Sequence, residues 1–258
     1  MTSFEAGVFT PAPARGPLWR MVAVQARTEA ALALRNGEQV LLTLLIPLAL
    51  LVTMTVLRLI PLPEPRVDSV APRILALAVM SSAFTGQAIA LGFDRRYGVL
   101  KRLAATAVPR WLLVVGRMLA AVAVVVVQLV VLCAAAVLLG WTPAVRGIPF
   151  ALGLILLGTL AFGALGALLG GALRAEIVLA AANFVWFALL LVGGIALPAG
   201  ALPGGLDAVV GLLPSGALAE SLRSALVDGM APGWQPVLVL LCWGAAGAGL
   251  AVKTIRLS

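Results

Sequence analysis

The sequence predicts an all-α membrane protein with six transmembrane helices, an N-terminal interfacial helix and a re-entrant outer helical hairpin before the last span. Two observations predict this class. Of the 258 residues, 62% are hydrophobic and 11% are charged, which is too little polar surface to cover a soluble protein of this size. The apolar residues also occur in long runs, and an α-helix of about 20 apolar residues is long enough to cross the hydrocarbon layer.

The first 36 residues precede these runs and differ from them in composition. Residues 1–17 contain three prolines and lack the apolar core of a cleavable signal peptide, so we expect a disordered cytosolic amino terminus. Residues 18–36 contain no helix breaker, and Trp19 and several alanines recur every three or four positions, with Arg20 and Arg27 on the remaining surface. This pattern predicts an interfacial helix, and a plain cytosolic helix is the alternative.

Six apolar runs predict the transmembrane helices. The third run is rich in valine, but an isolated strand in lipid would leave its backbone groups unpaired, so a helix is predicted there too. Pro47 is expected to kink the first span. The predicted spans are residues 39–60, 74–93, 111–140, 148–173, 177–197 and 234–252, and residues 18–258 are expected to form a single transmembrane domain.

The distribution of charge predicts the orientation of the chain. With six spans both termini lie on one side, and that side carries thirteen of the 18 basic residues, whereas the other side carries five. Each side carries five of the ten acidic residues. The positive-inside rule therefore places both termini in the cytoplasm, together with residues 94–110 between the second and third spans.

The sequence of residues 198–233 is not typical of a simple loop. Prolines and glycines divide them into pieces too short to cross a bilayer. In the second piece, Leu218 and Leu222 share one face and charged residues lie opposite. We predict a re-entrant pair of short outer helices, with Ser215 as a helix cap, and an ordinary surface loop is the alternative. The residues assigned to this element are Pro214, Ser215, Gly216, Glu220 and Arg223.

Several chemistries have no support in the sequence. The chain contains no glycine-rich phosphate loop and no histidine, which argues against an internal ATPase site, a zinc-protease helix and a serine–histidine triad. Both cysteines lie inside apolar runs, so no metal site is expected, and no basic patch interleaved with aromatic residues indicates nucleic acid. We expect no catalytic residue and no cofactor in this chain.

A few polar residues lie inside the predicted spans. An uncharged polar lining would suit the passage of an amphipathic substrate. Polar residues in membrane helices also form hydrogen bonds between helices, which is the alternative interpretation. The candidate pathway residues are Ser82, Thr85, Gln87, Gln128 and Asn183.

The basic segment at residues 94–110 carries the first functional indication. As a helix, it would place Tyr97 and Leu100 on one side and Arg95, Lys101 and Arg102 on the other. Such a segment can lie along a membrane surface or dock into a groove on a partner.

These features together resemble a permease of the type 2 ATP-binding cassette (ABC) transporters. The run Asp94 to Leu103, with Pro109 before the third span, is similar to the family signature acid-Arg-x-x-Gly-x-Leu-Lys-x-Leu. The run Leu213 to Leu218, with Glu220 and Arg223 after it, is similar to the outer re-entrant motif. The order of elements also agrees. Asp94 is a departure, since glutamate is the more frequent residue at that position.

The resemblance implies a multi-pass protein of the bacterial plasma membrane with two kinds of partner besides lipid. Two copies of a cytosolic ABC ATPase would bind ATP and Mg, and would grip the interfacial helix at Trp19, Arg20 and Arg27 and the basic segment. A second permease half, either another copy or a related chain, would complete the pathway. The alternative is that the charges only anchor topology and meet lipid phosphates. The implied ATPase-coupling residues are Asp94, Arg95, Arg96, Tyr97, Gly98, Leu100, Lys101 and Arg102.

By this resemblance, the chain is expected to be a transport subunit rather than an enzyme. It would export a hydrophobic or amphipathic small molecule, such as a drug, an antibiotic or a lipid, with ATP hydrolysed by the partner, and so could contribute to multidrug resistance. An alternative within the family is a permease for lipid-linked polysaccharide. An alternative of another class is an ATP-independent carrier or a structural membrane subunit.

Overall fold

The structure, a computed structural model, describes residues 16–57, 63–99, 102, 109–195 and 206–254. Within these ranges the regular structure is helical and no strand occurs. The α-helices are α1 Leu18–Arg35, α2 Gly37–Val56, α3 Arg66–Met80, α4 Gln87–Arg96, α5 Arg110–Leu138, α6 Ile148–Ala172, α7 Ala175–Val192, α8 Leu206–Leu212, α9 Pro214–Leu226 and α10 Trp234–Thr254.

The described residues contain five helical stretches that are long and apolar enough to cross a membrane. The predicted class of all-α membrane protein is therefore confirmed. A shorter apolar stretch, Thr43–Val56, lies in α2, where the first of the six spans was predicted. The count of six spans and the re-entrant character of residues 198–233 stay predictions. The five stretches are Arg66–Arg96, Trp111–Leu138, Val145–Ala172, Ala175–Val192 and Trp234–Thr254.

The second predicted span is the central helix of the bundle. It is continuous from Arg66 to Arg96, and it is more buried than the other four stretches. The helix begins at Arg66 rather than near residue 74, so it includes two arginines that the sequence analysis placed outside the membrane. A local contact explains the extension: the Arg66 guanidinium donates to the carbonyl oxygens of Met54 (3.1 Å) and Leu57 (3.3 Å) at the end of α2. Unpaired carbonyls at a helix end favour such a cation.

The central helix has a π-helical segment, Ser81–Gly86, between α3 and α4. The Ser81 hydroxyl donates to the carbonyl oxygen of Leu77 (2.8 Å) and accepts a hydrogen bond from the indole nitrogen of Trp186 (2.8 Å). Single π-helical turns of this kind are rare and are frequently found at functional sites. The π-helical segment therefore makes the middle of the central helix a candidate functional region.

Helix α6 packs closely against the central helix on one side and against α10 on the other. A Cβ atom at Gly166 would lie 2.5 Å from the carbonyl oxygen of Phe84, and one at Gly170 would lie 2.4 Å from that of Ala88. On the other side, Gly244 and Gly247 of α10 approach α6 in the same way. Small residues thus bring the backbones together, as is usual where apolar helices associate in membranes.

Helix α9 is packed into the bundle. Leu218 and Leu222 are fully buried, and the backbone N–H of Ala144 donates to the carbonyl oxygen of Leu226 (2.8 Å). The alternative of an ordinary surface loop is therefore wrong for residues 214–226. The prediction that Ser215 caps the helix is also wrong, because the N-cap is Leu213 and Pro214 takes the first helical position. Ser215 lies inside the first turn, and its hydroxyl is 3.4 Å from the carbonyl oxygen of Leu189.

Candidate functional site at the basic end of the bundle

One end of the bundle collects the residues of the predicted coupling segment. We call it the basic end and define it by Asp94, Arg95 and Arg96 at the end of α4, Arg117 in α5 and Glu176 in α7. The central helix ends here, α5 begins here, and α6 and α7 meet here. Helix α1 packs along α5, and a Cβ atom at Gly116 would lie 2.5 Å from Cγ of Gln25 in α1.

Asp94 joins the central helix to α5 and α1 through a cluster of three charges. Its carboxylate accepts a hydrogen bond from the Arg117 guanidinium, which also lies 3.6 Å from Glu29 of α1. The Glu29 carboxylate accepts a further hydrogen bond from the side-chain amide of Gln25 (3.0 Å). The Arg117 side chain is only 14% exposed, so its charge requires these partners. The shorter side chain of aspartate at this position is long enough to form the ion pair.

Arg95 binds the end of α6. Its guanidinium donates to the carbonyl oxygens of Gly170 (3.1 Å), Gly171 and Leu173 (3.2 Å). The last carbonyls of a helix have no partner within the helix and carry a partial negative charge. Arg95 therefore ties the end of the central helix to the end of α6.

Arg96 binds the first turn of α7. Its guanidinium lies 2.5 Å from the Glu176 carboxylate, and both side chains are at least half exposed. An exposed pair of this kind contributes about 0–1 kcal/mol. Asp94, Arg95 and Arg96 thus contact three different helices of their own chain.

Replacing Arg95 and Arg96 one at a time tests whether the hydrogen bonds of Arg95 contribute more to stability than the exposed ion pair of Arg96. Arg95→Gln is expected to lower the free energy of unfolding by about 1–3 kcal/mol, because it removes charged hydrogen bonds to carbonyls of α6. Arg96→Gln, which removes the same charge from the neighbouring position, is expected to cost less than about 1 kcal/mol. Thermal unfolding of the two purified variants in the same detergent measures the order. Equal losses would contradict the assigned role of Arg95.

The remaining predicted coupling residues face outward or change the direction of the chain. Tyr97 is 62% exposed and stacks on Phe93, with ring centroids 6.1 Å apart. Gly98 has a φ of 67°, a conformation that other residues adopt only with strain. The exposed Arg102 donates to the carbonyl oxygen of Tyr97 (2.8 Å). Leu100 and Lys101 lie outside the described residues.

The predicted contact residues of α1 are all exposed. Trp19 is 73% exposed, and Arg20 and Arg27 lie on the exposed surface as well. Sequence reasoning missed the inner partners Glu29, Arg117 and Glu176. The sequence holds a weak indication of two of these partners, because Glu29 interrupts the apolar face of the interfacial helix and Arg117 lies inside an apolar run.

Four of the five predicted pathway residues line one of two cavities, and the fifth, Gln128, forms a hydrogen bond between helices. Thr85 and Asn183 line a cavity of about 460 Å³ that also borders Trp186. Ser82 and Gln87 line a second cavity of about 370 Å³ nearer the basic end. Gln128 is buried, and its side-chain oxygen accepts a hydrogen bond from the Ser82 hydroxyl, so this pair forms the contact between helices that was the alternative interpretation.

The two cavities share wall residues of the central helix. Gly86, Ile89 and Phe93 contribute to both. The side-chain oxygens of Thr85 and Gln87 are buried and have no hydrogen-bond partner. Such unsatisfied buried oxygens are costly.

At the opposite end, α9 carries a second group of charges. Arg223 lies 2.8 Å from Glu220 and 3.2 Å from Asp228. The pKa of Arg223 is raised above its usual value, chiefly by the hydrogen bond with Glu220, so the residue stays charged. Pro214, Ser215 and Gly216 are buried in the first turn of α9 and are structural in this arrangement.

The five membrane-length stretches define a multi-pass membrane protein, and several of its charges at the basic end form contacts between helices. A comparison with family models finds a match to the ABC-2 family transporter proteins over residues 57–253. The matched region covers most of the chain, and the chain therefore belongs to the ABC-2 transporter family, a family of membrane transport subunits. No curated protein matches the sequence at a significant level.

Proposed function

We propose that this chain is the permease subunit of an ABC exporter that moves a hydrophobic or amphipathic small molecule. A separate cytosolic ATPase, present in two copies, binds ATP and Mg and supplies the energy. Family membership supports a role in transport and a partner ATPase. The observation that carries the proposal is the basic end, where ion pairs and hydrogen bonds join the end of the central helix to α1, α5, α6 and α7, next to the exposed residues of the two predicted ATPase contacts.

The ion pairs at the basic end link the binding of a partner there to movement of the helices in the bundle. A partner that binds Tyr97 and Arg102 displaces the end of the central helix, to which Arg95 fixes α6 and Arg96 fixes α7. The Arg117 cluster fixes α1 and α5 to the same point. An ATP-driven change in the partner would therefore reach these helices together, as a two-state transition requires.

The larger cavity supports a cargo that is mainly apolar. Its volume of about 460 Å³ lies within the range of small-molecule sites, and Ile46, Ile89 and Leu179 contribute to its wall beside Thr85 and Asn183. A few polar groups in an apolar wall suit an amphipathic drug, antibiotic or lipid. A long lipid-linked polysaccharide would need a more extended polar surface than this cavity offers.

The proposed orientation and assembly of the complex rest on charge and symmetry. The excess of basic residues supports an orientation with the basic end and both termini in the cytoplasm of a bacterial plasma membrane. Two permease halves, identical or related, would offer the two ATPase copies equivalent contacts about a two-fold axis.

Purification of the intact complex in mild detergent tests the proposal. We expect a protein with a phosphate-binding loop to copurify with this chain, with ATPase and permease in equal numbers. We also expect amphipathic compounds to stimulate its ATP hydrolysis. Recovery of the chain alone, from membranes in which it transports cargo, would support the ATP-independent carrier instead.

A further inference from the structure

One arginine of the central helix is buried without a partner in direct contact. Arg73 lies in α3 and is only 8% exposed. In the described part of the chain, its Nη1 atom has no hydrogen-bond partner, and its guanidinium takes part in no ion pair. Arg66 in the same helix differs, because its guanidinium donates to two carbonyl oxygens of α2. A buried cation without such partners is costly, so the state that the structure describes leaves Arg73 unsatisfied.

The charges that act on Arg73 belong to α9, which packs on α3. The carboxylate of Glu220 attracts the Arg73 guanidinium, and the guanidinium of Arg223 repels it. Glu220 is already hydrogen-bonded to Arg223, which lies three residues later in the same helix. The carboxylate that could neutralise Arg73 is therefore held within α9.

Arg223 can release Glu220 at little cost. The ion pair between them joins partly exposed side chains three residues apart, and such pairs contribute little to stability. Arg223 also has a second acid, Asp228, at 3.2 Å, so it stays paired after the release. Glu220 would gain a buried partner, for which the attraction is stronger than at the surface. The four charges thus have two pairings, and only the pairing of Glu220 with Arg73 joins α9 to the central helix.

The central helix connects these charges to the basic end. It is continuous from Arg66 to Arg96. With a rise of 1.5 Å per residue, Arg73 and Asp94 are about 30 Å apart along this one helix. A displacement of the helix at the basic end, where the ATPase contact is proposed, therefore moves Arg73 relative to α9.

We propose that Glu220 exchanges Arg223 for Arg73 when the central helix moves, and that the Arg73–Glu220 pair latches α9 to the central helix in one of two transport states. The structure describes the state in which this latch is open, because Glu220 is bound to Arg223. The proposal rests on the function proposed above and adds a device at the end of the bundle opposite the ATPase contact. A contact that forms in only one state lets a partner favour or release that state.

Melting temperatures of the full chain in nanodiscs test the exchange without an ATPase. In the unaltered chain the latch is open, so Arg73→Gln is expected to raise the melting temperature by about 2–4 °C, because it removes a buried charge. Arg223→Gln frees Glu220 for Arg73 and closes the latch. In this background, Arg73→Gln is expected to lower the melting temperature by about 2–4 °C. When Glu220→Gln is added to the same background, Arg73→Gln should raise it again.

Two further substitutions are the matched controls for this change of sign. Asp228→Asn removes a charge from the same group but leaves Arg223 paired with Glu220, so Arg73→Gln should still raise the melting temperature. Arg146→Gln removes an exposed arginine beside the turn that follows α9, and it should change the melting temperature in neither background. If Arg73→Gln raises the melting temperature in the Arg223→Gln background as well, the exchange is overturned.

The complex with its ATPase tests whether the transport cycle drives the exchange. The shift in melting temperature on Arg73→Gln is measured with and without a non-hydrolysable ATP analogue. We expect opposite signs, because the latch is closed in only one of the two states. The same sign in both, with ATP-driven transport retained, would overturn the latch and leave the export function intact. A chain that joins no ATPase would contradict the proposed function, whereas the signs measured in the isolated chain still decide whether Glu220 exchanges its partner.

Discussion

Gly166→Ala is expected to destabilise the protein by about 2 kcal/mol or more, although alanine is normally the better helix residue. A Cβ atom there would lie 2.5 Å from the carbonyl oxygen of Phe84, which belongs to the π-helical segment. Backbone atoms cannot turn aside as a flexible side chain can, so α6 and the central helix must separate. Thermal unfolding of the purified chain, followed by the loss of monodisperse protein after heating, measures the change.

Gly153→Ala is the matched control for this substitution. Gly153 lies in the same helix, and a Cβ atom there would meet nothing within 4 Å. Alanine at this position should be neutral or stabilise the chain by up to about 1 kcal/mol, because it restricts the unfolded backbone. Opposite signs at the two glycines are the expected result. Similar signs would mean that α6 does not approach the central helix as closely as the structure shows.

Gly98→Val and Lys101→Glu are expected to lower ATP-driven transport at least tenfold while the complex still assembles. Gly98 has a φ of 67°, and among the described residues no atom lies within 4 Å of a Cβ placed there, so valine strains the local backbone without meeting a described neighbour. Lys101→Glu reverses a charge in the predicted ATPase contact. Transport by the complex in proteoliposomes and its ATP hydrolysis are measured in parallel. The rate of ATP hydrolysis is expected to fall less than the rate of transport.

Two matched variants control for strain and charge. Gly140→Val places valine at another open glycine of positive φ (92°), at the end of α5 opposite the basic end. Lys253→Glu reverses the charge of an exposed lysine near the end of α10. Both should transport nearly as well as the unaltered chain. If Gly98→Val and Lys101→Glu transport equally well, the coupling role of the basic segment is wrong.

The membrane class of this chain could be predicted from its sequence because hydrophobic runs of sufficient length have few alternatives to a spanning helix. The start of the central helix could not be predicted in this way. Arg66 and Arg73 argue against a span by composition, but the structure accommodates Arg66 at carbonyls of α2. The π-helical segment at Ser81–Gly86 was missed as well, since its hydrogen bond to Trp186 joins residues 105 positions apart.

The candidate site was predicted in part. The run from Asp94 to Arg96 could be singled out because it interrupts apolar sequence, but its contacts depend on residues distant in the chain, such as Glu176 and the carbonyl of Gly170. Likewise, Thr85 and Gln128 are both polar residues within spans. Only their three-dimensional surroundings distinguish a cavity wall from a hydrogen bond between helices.

ATP-dependent accumulation of three dansyl-labelled amphipaths, one cationic, one neutral and one anionic, in proteoliposomes most directly tests the claim that this chain forms a transport pathway driven by a separate ATPase. We predict accumulation of at least one probe when chain, ATPase, ATP and Mg are all present. We predict none with the chain alone or with an ATPase whose phosphate-loop lysine is replaced. Accumulation against a gradient by the chain alone, without nucleotide, would contradict the account.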